Sequence, residues 1–131
     1  MQRLLFPLAA ATLILAGCAS APVVGAALDE VRIETRGMDA GGEACADFSL
    51  TAAQARYFLA RSVVVTAAQQ REGWDVLPCY VRGTARSASG LWRWEIRAGG
   101  TATLETPAGD PELRACTGCE IVLGRPSGKQ R

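Results

Sequence analysis

Cys79-Tyr80-Val81-Arg82-Gly83-Thr84-Ala85-Arg86 is followed by Ser87-Ala88-Ser89-Gly90 and then by Leu91-Trp92-Arg93-Trp94-Glu95-Ile96-Arg97. In the first run Cys79, Val81, Gly83 and Ala85 alternate with Tyr80, Arg82, Thr84 and Arg86. In the second, Trp92, Trp94 and Ile96 alternate with Leu91, Arg93, Glu95 and Arg97. A period of two sends the two sets to opposite sides of a pleated strand, so the pair predicts a hairpin with one apolar and one charged face. The small, polar Ser87–Gly90 segment supplies its turn. Gly99-Gly100 turns the chain again, and Thr101 to Thr106 places Ala102 and Leu104 inward with Thr101, Thr103 and Glu105 outward, which extends the hairpin to a meander.

The flanks complete the fold class. Upstream, Leu28 to Arg36 alternates Val31, Ile33 and Thr35 with Arg32, Glu34 and Arg36, a half-buried strand that Gly37, Gly41 and Gly42 bring to an end. Thr51-Ala52-Ala53-Gln54 is a capping box opening a helix to about Arg61, with Ala55, Phe58, Leu59 and Ser62 on its buried stripe. The β-branched Val63, Val64 and Val65 end that helix as an extended link. Thr66-Ala67-Ala68-Gln69 repeats the box and predicts a short helix to about Glu72, stopped by Gly73. Downstream, Pro107, Gly109 and Pro111 form a loop; Leu113, Ala115, Ile121, Val122 and Leu123 frame Cys116-Thr117-Gly118-Cys119, read as a tight turn into a strand. The expectation is an α+β domain over 28–123: a three- to four-stranded antiparallel meander packed against one main helix. Residues 124–131 read as a flexible polar tail.

The chain has 131 residues, and its N-terminus carries a different message. A basic residue, Arg3, precedes an apolar run from Leu4 to Leu15 that is too short to span a bilayer, and Leu15-Ala16-Gly17-Cys18 closes it. This stretch resembles the lipobox of bacterial lipoproteins. The resemblance implies cleavage after Gly17, removal of residues 1–17, and lipidation of the Cys18 thiol with a thioether diacylglycerol and usually a third, amino-linked acyl chain. Ala19-Ser20-Ala21 offers a competing secretory cleavage site that would release a soluble protein. Ala19 is not Asp, which in a Gram-negative envelope implies the inner leaflet of the outer membrane, with the domain facing the periplasm. Residues 18–27 then read as lipidated cysteine and tether.

Composition narrows the function. Removing 1–17 leaves roughly 114 residues, enough for one domain burying about two-thirds of its unfolded surface. The whole chain carries 14 basic and 13 acidic side chains, a balance that argues against nucleic acid as partner. There is no histidine, which excludes Ser-His-Asp and Cys-His catalysis and imidazole metal sites. Beyond Cys18 four cysteines remain, an even number suited to an oxidising compartment. Of the three possible pairings, Cys45 with Cys79 and Cys116 with Cys119 is favoured, because proximity in sequence forces the second pair together.

Candidate sites follow from residue type. Cys116-Thr117-Gly118-Cys119 has the spacing of a redox pair but lacks the βαβ context that lowers a thiol pKa, so a structural disulfide is expected. A four-cysteine zinc site normally shows two close pairs and only one exists here, and no cofactor is implied. The acids Asp29, Glu30, Asp39, Glu43, Asp47, Asp75, Glu95 and Glu105 form no recognisable catalytic pair. Trp92 and Trp94 read as core. The opposite face gathers Arg82, Arg86, Arg93 and Arg97 with Glu95, and Tyr80 at its edge: guanidinium forks that suit carboxylates, beside an aromatic anchor.

From Cys45 through Thr51, Trp74, Pro78–Thr84, Trp92–Ile96 and Cys116–Cys119, the order of features is similar to a group of small exported bacterial proteins of unknown function. That resemblance, over roughly residues 45 to 123, implies a like fold and disulfide pattern and no catalytic residues. The expected role is therefore non-catalytic, an envelope lipoprotein binding a protein partner, with an immunity-like inhibitor as one form. A peptidoglycan-contacting lipoprotein is the alternative, and a thiol-disulfide protein a third.

Overall fold

The computed structural model describes residues 22–124. The lipobox-like motif, the 1–17 segment, Cys18 and the tail past Gly124 lie outside the described residues. Along the chain run β1 (Val23–Val24), β2 (Asp29–Met38), α1 (Ala52–Arg61), β3 (Val63–Val64) and α2 (Ala67–Gly73). They are followed by β4 (Cys79–Ser87), β5 (Gly90–Arg97), β6 (Thr101–Glu105), β7 (Pro111–Ala115) and α3 (Glu120–Leu123). All strands join one antiparallel sheet in the order β1-β3-β7-β6-β5-β4-β2.

The alternating hairpin sets the register. Val81 stands opposite Ile96, Gly83 opposite Trp94 and Ala85 opposite Trp92; Trp94 in turn faces Leu104, and Ile96 faces Ala102. These inward residues are buried together with Phe58 and Leu59 of α1. At about 1.5–3 kcal/mol for each large side chain, their burial is the main force holding the helix to the sheet. Gly83 lies under the Trp94 ring, where a Cβ would collide with that ring and with the Arg32 carbonyl of β2. The indole Nε1–H of Trp94 donates to the Thr84 carbonyl at 2.8 Å, and that of Trp92 to Ser87 Oγ at 2.8 Å. Both tryptophans thus bury their rings without stranding a polar group.

The helices begin where their sequences say. Thr51 Oγ1 accepts from the Gln54 amide at 3.1 Å while Gln54 Oε1 accepts from the Thr51 amide at 2.9 Å, and Thr66 with Gln69 repeats the arrangement. Ala55, Phe58, Leu59 and Ser62 are buried as the stripe predicts. Two disulfides form, Cys45–Cys79 and Cys116–Cys119, with Cα separations of 5.9 and 5.8 Å.

Several expectations need correcting. The sheet has seven strands rather than three or four. Val63-Val64, read as a link, is β3, paired on one side with Ala115 and Arg114 and on the other with Val24 and Val23. Its partners lie far along the chain, so no local pattern announces it. β7 is hidden for another reason: its inward residue Arg114 is a buried cation where alternation would call for an apolar side chain. The Ile121–Leu123 run is not a strand but one turn of helix, closed by the amides of Val122 and Leu123 donating to the Cys119 carbonyl at 3.0 Å. In β2 only Val31 is buried, because irregularities between Asp29 and Arg32 and between Ile33 and Thr35 break its alternation. Such bulges shield an edge strand from pairing with a neighbour.

Two stability effects should be measurable by urea denaturation. Gly83→Ala should cost about 3 kcal/mol or prevent folding, since neither the β2 backbone nor the buried indole can yield. Replacing Cys45 and Cys79 together by Ser should cost about 4 kcal/mol, against about 2 for Cys116 with Cys119, because the first pair closes far the longer loop.

Candidate functional site

The charged side of the hairpin is built from cross-strand pairs. Tyr80 stands opposite Arg97, Arg82 opposite Glu95, Thr84 opposite Arg93 and Arg86 opposite Leu91, all on one face because register and pleat coincide. At the centre is Glu95. Its Oε2 accepts from Arg82 Nε at 2.8 Å and its Oε1 from Arg97 Nε at 2.9 Å. Arg97 Nη1 donates onward to Asp39 Oδ2 at 2.9 Å and to the Leu77 carbonyl at 3.1 Å. The Tyr80 ring is in contact with both guanidinium groups, 4.2 Å from the Arg82 carbon and 5.3 Å from that of Arg97.

Tyr80 has room to lie flat because β2 presents Gly37 beside it; a Cβ there would come within 2.8 Å of the phenol oxygen. The Glu95 hydrogen bond, with the charges of Glu95, Tyr80 and Asp39, holds Arg82 still more firmly protonated than a free arginine. Tyr80, Arg82, Glu95 and Arg97 therefore form one network. Asp39 joins it from the segment after β2, a member that sequence spacing does not reveal because it sits 58 residues from Arg97.

The other two candidates stand apart from this network. Arg86 reaches Glu30 at 3.3 Å with both side chains more than half exposed, a pair of little energetic weight. Arg93 makes no hydrogen bond or ion pair among the described residues. It borders an open cleft of about 380 Å³, whose charged and polar lining is Glu34, Arg82, Arg93, Glu95, Thr103 and Glu105. Glu105 is directly across β6 from Arg93, yet the two side chains do not pair. Arg93 thus has its whole guanidinium without a partner among the described residues, whereas Arg82 and Arg97 each give their Nε–H to Glu95 and Arg82 keeps its two Nη groups for an incoming carboxylate.

The remaining candidates lie elsewhere in the fold. Cys116 and Cys119 are wholly buried, and Cys119 precedes a single helical turn rather than the long helix of a redox motif. Among the described residues no three His, Cys, Asp or Glu side chains converge as metal ligands. Sequence reasoning misses Arg114, whose signal is an arginine flanked by Leu113 and Ala115 in a short strand. It is 1 % exposed and paired with Glu112, Nε to Oε2 at 2.8 Å. Compared with protein-family models, curated proteins and solved structures, the chain matches none.

Double-mutant cycles in thermal or urea unfolding should separate the two Glu95 pairs. Arg97–Glu95, with both side chains about one-fifth exposed, should show the larger coupling. Arg82–Glu95, with Arg82 half exposed, should stay below about 1 kcal/mol. Equal couplings would mean that solvent screens both alike.

Proposed function

We propose that this chain is a non-catalytic lipoprotein of the bacterial envelope, anchored through Cys18, that binds another protein with the charged face of β4 and β5. The observation that carries the reading is the fixed array on that face: Glu95 holds two arginines around Tyr80, and Arg93 stands beside a cleft with no partner among the described residues. Arginine and tyrosine dominate binding energy at protein interfaces, and side chains already held in place lose less entropy on association. Acids and bases alternate across this face, so recognition would follow local pattern rather than bulk charge. The partner would bring a carboxylate to Arg93. An immunity-like inhibitor of a periplasmic toxin or lytic enzyme is one instance of such a role.

The test is site-specific photocrosslinking in cells, with the probe at Thr103 on the cleft wall. A discrete protein adduct is expected, lost in Arg93→Glu and weakened in Tyr80→Ala. It should persist in Arg56→Glu, which alters an exposed position on α1. Absence of any protein adduct would sink the reading. Co-sedimentation with purified peptidoglycan that is weakened by Arg93→Ala with Arg97→Ala would move the chain to the wall-contacting class.

A further inference from the structure

The irregularity in β2 leaves Glu34 as an extra residue: Ile33 stands opposite Gly83 and Thr35 opposite Arg82, so two steps of β2 answer one of β4. A bulge of this kind re-aims a side chain. Here it sets Glu34 on the wall of the open cleft of about 380 Å³ that also takes in Arg82, Arg93, Glu95, Thr103 and Glu105. The far end is closed by Glu105 with Pro111 opposite it, and by Gly109 in the loop before β7.

The charges lining this cleft are of two kinds. Arg82 and Glu95 satisfy each other, Nε to Oε2 at 2.8 Å. Glu34, Arg93 and Glu105 are exposed and make no hydrogen bond or ion pair among the described residues. What stays open is one cation between two anions, with the Nη groups of Arg82 beside the cation. Their order follows the sheet: Glu34 on β2, Arg82 on β4, Arg93 on β5 and Glu105 on β6. From β2 to β6 is three strand spacings, about 14 Å along the sheet. An extended chain advances about 3.4 Å per residue and turns every second side chain to the same side. Its residues i and i+4 are therefore also about 14 Å apart, and i+2 falls level with the space between β4 and β5.

We infer that the cleft takes an extended segment of the partner, laid across the strands, in the pattern base–x–acid–x–base. The outer Lys or Arg residues meet Glu34 and Glu105, and the central Asp or Glu sits between Arg93 and the Nη groups of Arg82. The inference rests on the protein-binding role proposed above and specifies what the partner presents. Charge complementarity selects this occupant: two cations and one anion offset the two anions and one cation left open. A second copy could offer Arg32, Glu34 and Arg36 of its own β2, which carry the same pattern. It is a poorer fit, because in a symmetric pair each Glu34 would have to leave the wall of its own cleft to fill the other.

The experiment titrates the isotope-labelled full chain, lipidated and held in non-ionic detergent micelles, with two capped peptides at low ionic strength. One contains Lys-Ser-Asp-Ser-Lys and the other its isomer Lys-Ser-Lys-Ser-Asp, so net charge and composition are the same. Exposed ion pairs are individually weak, and the contrast between the peptides is the readout. The first peptide should move the Arg93 Nε–H and Thr103 amide resonances saturably and bind several-fold more tightly than the isomer. Glu34→Gln together with Glu105→Gln, both exposed positions, should bring the two peptides to parity.

Equal binding of the two peptides to the unaltered chain, or a preference that survives the double Gln variant, overturns the pattern. No shift from either peptide, in a chain that still gives the Thr103 crosslink in cells, overturns the pattern and leaves protein binding by this face standing. Neither shift nor crosslink removes both. A concentration-dependent dimer in sedimentation that Arg32→Glu dissociates overturns it in favour of a second copy.

Discussion

The seating of the Trp94 indole across Gly83 is the contact on which the rest of the molecule depends. A sheet that packs on one side against a ten-residue helix needs bulk at its centre, and a strand neighbour without a side chain is what lets an indole lie flat there. With Trp94 in place, Trp92 and Ile96 fall on the same side by pleat alone, and Phe58 and Leu59 close over them. The opposite side of the same hairpin then has no freedom left. Tyr80, Arg82, Glu95 and Arg97 must stand together, because a shift of one residue would turn the indoles to solvent.

That coupling explains why the hairpin was legible. Two alternating runs joined by a Ser/Gly turn contain their own partner, and α1 and α2 carry their start signals within four residues. What sequence could not show is pairing at a distance. Val63-Val64 is two residues with no turn to tie it to Val23-Val24 or to β7, so it reads as a connection. β7 is masked by Arg114, a cation on the inward side, tolerated because Glu112 and the Leu59 carbonyl meet it. The Ile121–Leu123 run has strand-forming residues, yet the disulfide behind it sets Cys119 to receive the following amides and the chain coils.

The charged side of the hairpin is legible in the sequence as a set of positions and not as a set of pairings. Alternation places Arg82, Arg93, Glu95 and Arg97 on one side, but it cannot tell which charges satisfy one another. Glu95 engages two arginines through their Nε–H groups, Asp39 arrives from outside the hairpin, and Arg93 stands without a partner among the described residues. The lesson is one of counting: a row of like residues on a strand is only as available as its cross-strand partners leave it.

The disulfide between Cys45 and Cys79 closes a covalent ring that contains α1, β3 and α2. Inside that ring, in the segment after α2, Val76 is an exposed apolar side chain, 66 % accessible. Cleavage by a protease at such a loop normally separates a domain into pieces that drift apart. Here a single cut at Val76 would leave both new ends on one molecule, joined through sulfur at the foot of β4. The sheet would keep every strand, and its charged face would outlast the nick.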